Sequence, residues 1–343
     1  MYICKLSDYS ALIALKPLAN LPHLMKKIFT LLAFVFFAFG CDKKSKVEQA
    51  VEEIPVSVQV ERFDKAFFEA KPQDLPKLKA EYPLFFPKGN DDKVWTDKMQ
   101  NPQWRELYQE VQKKFGNFEK ETEGIDALFK HIKYYFPATK VPKVVTVIAE
   151  MDYQNKVIYA DSVMIVSLEL YLGKDHRFYQ FPDYLKQNFE PEQILPDIAS
   201  AFSVGKIAPP QENTLLSYMV YAGKELYLKD MLLPDYTDAQ KIGYKPEQIK
   251  WCEENQADMW RFFIDNTLLY DTDQKLLPRF INPAPFSKFY LEIDNESPGQ
   301  VGAWLGWQIV RAYMRNNEVS LEQMLQTDSK TLFEQSKYKP KKP

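Results

Sequence analysis

Apolar side chains recur every third or fourth position through much of this chain, a spacing that predicts helices. Phe63, Ala66, Phe67 and Ala70 carry the pattern within 63–82, followed by Pro72 and Pro76, and residues 83–87 break it. Trp104, Leu107, Tyr108 and Val111 repeat it within 104–115. Ile125, Leu128, Phe129, Ile132 and Tyr135 do so within 125–135. The period then shortens: KVVTVIA at 143–149 is rich in β-branched residues, and 156–160 and 163–170 are also strand-like, with Asp161-Ser162 as a turn between them. Runs this close together predict a small, mostly antiparallel sheet. Beyond it the helical pattern returns. Pro191 opens one segment and Asn213 or Thr214 a second; Thr237 and Gln240 have capping-box spacing for a short third, and Pro246 precedes a longer helix reaching Phe263.

The last clear helix follows Ser297-Pro298-Gly299-Gln300, where Ser297 is placed to cap, Pro298 to fill the first turn and Gln300 to complete the box. Residues 301–314 are apolar on nearly all sides and include Trp304 and Trp307. Gly302 and Gly306, one turn apart, allow another element to pack closely. Arg311 and Arg315 hold the apolar run to ten residues, well short of the roughly 20 needed to span a bilayer. It reads as a buried central helix. The pattern therefore predicts one α+β domain, mainly helical, over 61–336. Lys337, Lys339, Lys341 and Lys342 form a frayed basic tail at 337–343.

The N-terminal region carries an address. Lys26 and Lys27 precede an apolar run at 28–39, interrupted only by Thr30 and closed by Gly40 and Cys41. A basic start, a short apolar run and a small residue at the cleavage point describe a secretory signal at 25–40. Cys41 after Ala38-Phe39-Gly40 resembles the lipobox of bacterial lipoproteins, in which the Cys becomes the acylated first residue. Residues 1–24 lack this pattern and read as an extension upstream of a start at Met25. Acyl chains hold a domain at a membrane surface, each buried CH₂ contributing about 0.8 kcal/mol. Residues 41–60, polar at first, read as a tether. The expected location is the cell envelope, lipid-anchored and facing the periplasm.

Composition narrows the classes. The chain has 343 residues, of which 15% are aromatic, enough for a dense core. Gly is scarce at 11 residues, which argues against Gly-rich phosphate loops. The net charge of −3 divides into +3 over residues 1–40 and −6 over the rest, so nucleic acid is not an expected partner. With Cys4 and Cys41 assigned to the leader and the anchor, Cys252 has no disulfide partner and reads as a small buried hydrophobe. His131, on a polar stripe, reads as a surface residue, and His176 as a loop residue. His23 belongs to the leader. There is no HExxH, GxSxG, Walker loop or GxGxxG. Among the acids, Glu253, Glu254 and Asp258 share one helix and read mainly as a solvated face, as do Glu225 and Asp230.

SPGQVGAWLGWQIVRAY at 297–313 resembles the gliding motility lipoprotein GldB family, as do MIVSLELYLG at 164–173, YAGKELY at 221–227 and the Trp251…Trp260 helix. The resemblance covers essentially the whole chain after the leader. It implies a membrane-anchored envelope lipoprotein required for gliding, working with a dedicated protein-secretion apparatus and with envelope proteins of that machinery. That family is similar in layout to zincin-like metallopeptidases. By this resemblance 191–203 would be the metal-binding helix, yet it holds Asp197 and no His; 221–227 would be the second, with Glu225 in the ligand-like place. The expectation is a degenerate fold without cofactor or metal that acts as a non-catalytic binding module. Two rivals remain: a carboxylate- or metal-dependent hydrolase using Asp197, Glu225, Glu253 or Glu254, and a carrier of lipid or peptide in an aromatic cleft.

Overall fold

A computed structural model of the protein describes residues 45–292 and 294–341. The leader at 25–40, the stretch 1–24 and Cys41 lie outside the described residues. The first described element is helix α1 (Lys46–Glu52). From Val51 to the end the chain forms one unit. The later part of the expected tether belongs to it. Val51 and Val58 are buried, and the Val58 N–H donates to the Asp126 carboxylate at 2.7 Å. The alternation of Ile54, Val56, Val58 and Val60 explains this, because period-2 apolar spacing suits an extended segment entering a sheet.

Strand β1 (Val60–Arg62) leads into α2 (Phe63–Glu69). The segment 63–82 is not one helix. The backbone turns extended at Ala70 and Lys71, ahead of Pro72, and α3 (Leu75–Glu81) starts afresh. Next come α4 (Asp92–Gln100), α5 (Pro102–Phe115) and α6 (Glu119–Tyr135). The remaining strands are β2 (Lys143–Val147), β3 (Val157–Ala160) and β4 (Val163–Ser167).

The sheet order is β1-β2-β4-β3, with β1/β2 and β2/β4 parallel and β3/β4 antiparallel. The sheet is therefore mixed, which corrects the mostly antiparallel expectation. The helices between β1 and β2 form a crossover that leaves those strands parallel. The β3–β4 hairpin, turning at Asp161-Ser162, then returns β4 along β2. Asp64, in the first turn of α2, is buried at the sheet: it accepts from Thr146 of β2 (2.5 Å) and Gln112 of α5 (2.8 Å) and pairs with Arg62 (2.7 Å).

The second half is helical: α7 (Asp183–Lys186), α8 (Ile194–Ser203), α9 (Leu215–Leu232), α10 (Asp238–Ile242), α11 (Pro246–Glu254), α12 (Gln256–Asp265), α13 (Leu276–Phe280), α14 (Val301–Asn316), α15 (Leu321–Gln326) and α16 (Ser329–Ser336). Thr214 caps α9 by accepting from the Ser217 N–H, and Thr237 with Gln240 forms the box of α10. The helix expected to reach Phe263 breaks at Asn255 into α11 and α12.

The start of α14 also differs from expectation. Ser297 is buried and its hydroxyl serves the preceding loop, accepting from Ser287 N–H and lying 2.7 Å from the Asp294 carbonyl. The cap position falls to Gln300, held left-handed at φ 62°, and the Val301 N–H reaches the Ser287 hydroxyl at 3.4 Å. The basic tail is docked through Lys341 rather than frayed. Tyr338 packs edge-on to Trp260 and accepts from Gln256, whose carbonyl takes the Lys341 N–H.

Helices α9 and α14 cross at the centre of the helical half. A Cβ on Gly306 would overlap the Met219 carbonyl of α9, and one on Gly223 would overlap the backbone of α14. Bare backbone on both sides lets the helix axes approach more closely than any side chain would permit. Among the described residues, no helix is long and apolar enough to cross a membrane.

Candidate functional site

The α9–α14 crossing carries an ionic network that joins the two motif helices. Arg311 projects from α14 one turn beyond Trp307, and its guanidinium lies 3.8 Å from that indole's centroid. It donates two bonds to Asp230 of α9 (2.7 and 2.8 Å) and two to Asp238 of α10 (2.6 and 2.8 Å). The Trp307 indole N–H donates to Asp230 at 2.9 Å, and Lys241 reaches the same carboxylate at 3.0 Å. Lys229 donates to the Lys241 carbonyl (3.1 Å) and pairs with Glu225 one turn earlier (3.1 Å), whose carboxylate also accepts from Ser200 of α8 (2.7 Å).

Three carboxylates thus face three cations, and the network is closed on itself. Burial alone would raise the Glu225 carboxyl, but Lys229 and the Ser200 hydroxyl offset it, and the group is lowered. For Asp238, burial likewise acts upward, and Arg311 outweighs it. The Arg311 guanidinium is held above its usual range despite burial, because both aspartates favour its charged form. Acids locked in the ionised state are poorly matched to proton transfer near neutral pH. The arrangement can brace helices; it offers no poised acid or base.

The candidate residues do not converge on a reaction centre. Asp197 accepts from the buried Tyr171 hydroxyl (2.8 Å) and pairs with Lys156 at the start of the β3 hairpin (2.5 Å). Glu225 belongs to the network above. Glu253 and Glu254 lie exposed on α11, with Glu254 3.7 Å from Lys250. Asp258 pairs with Arg261 at 2.9 Å. Among the described residues, no group of three or more His, Cys, Asp or Glu side chains is arranged to hold a metal ion. His131 is buried rather than on the surface, its Nδ1 3.0 Å from the Ala127 carbonyl. His176 lies in a loop against Phe178 and Tyr179, 3.6 Å from Glu110. Cys252 is fully buried and its thiol is pushed well up by that burial.

One carboxyl is different. Glu169, just after β4, is fully buried; Oε1 accepts from the Ala149 N–H (3.0 Å), while Oε2 has no partner among the described residues. Burial lifts this group to about 7, against the pull of backbone N–H groups and Lys98. Its seal from solvent makes it a constraint on the 148–151 strap rather than a group that meets a substrate.

Asp230, Asp238, Lys229 and Lys241 were not legible as a site from spacing. The usable signal was Arg311, since a cation on an otherwise apolar helix requires buried counter-charge.

Fold and network together define a class: a mainly helical α+β body in which α9 and α14 are joined by a partly buried ionic network. The family model of the gliding motility protein GldB matches residues 44–340. The chain belongs to that family, one of gliding motility proteins and not a known enzyme family. No curated protein and no solved structure matches it.

Proposed function

We propose that this chain is an envelope lipoprotein, anchored through acyl groups on Cys41, that serves gliding motility as a non-catalytic binding component of the motility and secretion machinery. Membership of the GldB family supports the process. The leader at 25–40 followed by Cys41 supports the anchor. The observation that carries the non-catalytic reading is the closure of the α9–α14 network: Glu225, Asp230 and Asp238 each face a cation, and none is free to act on a substrate. Of the remaining candidates, Asp197 is paired with Lys156 and accepts from Tyr171, and Glu253 and Glu254 are solvated.

Replacing Cys41 by Ala tests the anchor and its importance together. The variant is expected to leave the membrane fraction and to abolish gliding on surfaces. Normal gliding with the protein released from membranes would contradict the reading. Elemental analysis of the purified full chain tests the other half, with stoichiometric zinc as the opposing result.

A further inference from the structure

The edge strand β3 pairs with β4 on one side only. In that ladder the Ser167 N–H donates to the Lys156 carbonyl, so residues 156, 158 and 160 bond to β4 and Val157 and Tyr159 turn their backbone groups outward. Those outward N–H and C=O groups have no partner among the described residues. Beside this edge lies a trough of about 800 Å³. Its floor is aromatic: Phe202 packs edge-on to both Phe136 and Tyr159, at 5.5 and 5.8 Å between centroids. Lys206, half-buried, lies over the Phe136 and Phe202 rings (5.6 and 5.2 Å), while Lys140, Asp161 and Glu322 line the trough from its exposed rim. Neither lysine has a carboxylate partner among the described residues. On the other face of β3, Ile158 is 47% exposed.

We infer that β3 is a docking edge for an extended peptide segment of a partner protein, one carrying a carboxylate near an aromatic or aliphatic side chain. Outward backbone donors and acceptors at alternate residues match another strand's backbone. Side chains of an added strand alternate between faces, so one set enters the trough and the other covers Ile158. The aromatic floor takes the apolar side chain, and the Lys206 ammonium supplies the counter-charge for the carboxylate. The four-residue length of β3 confines pairing to a short segment. This inference rests on the binding-component reading and gives it a surface.

The test uses the full chain in detergent micelles and a fluorescent, end-blocked peptide, Thr-Phe-Val-Asp-Val-Thr, whose Phe and Asp, two residues apart, share one face of a strand, with binding read by anisotropy. Val157→Pro removes an outward N–H while leaving the bonds to β4, as proline is tolerated on the open side of an edge strand. It is expected to weaken binding by about ten-fold, the worth of one or two hydrogen bonds. Lys206→Glu is expected to lose at least as much. A probe N-methylated at alternate amides should fail to bind the unaltered chain, which keeps the test independent of the variants' folding. Absence of binding at millimolar probe, or equal binding by both folded variants, overturns the inference and leaves the anchor untouched. Cleavage of the bound probe would instead overturn the non-catalytic reading.

Discussion

Replacing Arg311 by Met keeps the length of the side chain and removes the guanidinium that joins α9, α10 and α14. Four charge-assisted hydrogen bonds of 2.6–2.8 Å disappear. At about 1.5–3 kcal/mol each, their simple sum exceeds what single substitutions cost. Two features reduce it. Asp230 retains the Trp307 indole and Lys241, and the Asp238 side chain, 35% exposed, is able to rehydrate. What remains is an Asp230 carboxylate, 14% exposed, stripped of its main counter-charge. Removing one partner of a buried pair costs about 3–5 kcal/mol, and the remaining partners place this case near the lower end. The expected loss is therefore about 3 kcal/mol, or a fall of roughly 5 °C in Tm for a body of this size.

Urea unfolding followed by tryptophan fluorescence measures this, with an unchanged m-value confirming that stability alone has altered. A loss below about 1 kcal/mol, the worth of an exposed ion pair, would refute the assignment of the network as a buried brace.

Other consequences follow from the same structure. Gly306→Ala forces α9 and α14 apart and should cost at least about 2 kcal/mol by thermal unfolding, whereas Gly205→Ala, whose added Cβ meets nothing within 4 Å, should stay within about 0.5 kcal/mol. Glu169 titrates near 7 in the fold against an ordinary 4.5, so the folded state holds the proton more tightly across that window. Stability contributed by the protonated form is complete below the lower value and declines as pH rises to 7. Glu169→Gln should therefore gain on the unaltered chain by up to about 3 kcal/mol between those pH values, measured by urea midpoints. A constant difference would show that Glu169 does not titrate there. Cys252 should resist maleimide labelling in the folded chain and react only on unfolding, since it is fully buried and its thiolate is disfavoured.

The helices were legible because their apolar stripes are dense: Trp104 to Val111 and Ile125 to Tyr135 mark α5 and α6 directly. The sheet was legible in its long strands but not in its direction. The alternation at 54–60 leads into three-residue β1 but carries no sign of which strand β1 pairs with or in which direction. Local punctuation was readable where the side chain meets its own helix, as at Thr214 and Thr237. It failed at Ser297, because the hydroxyl of Ser287, in the loop before the helix, accepts from the Val301 N–H instead. The ionic network was hidden for the same reason. Asp230, Asp238 and Arg311 come from three helices, and only their tertiary arrangement shows that Asp230, expected on a solvated face, is matched inside the body.

The central claim is that this protein serves gliding by binding and not by catalysis. Its most direct test is the gliding of cells whose only copy carries Asp197→Asn, Glu225→Gln, Glu253→Gln and Glu254→Gln, with the amount of envelope protein measured alongside. The account predicts gliding in proportion to the protein present. Loss of gliding with a normal level of folded protein in the envelope would contradict it.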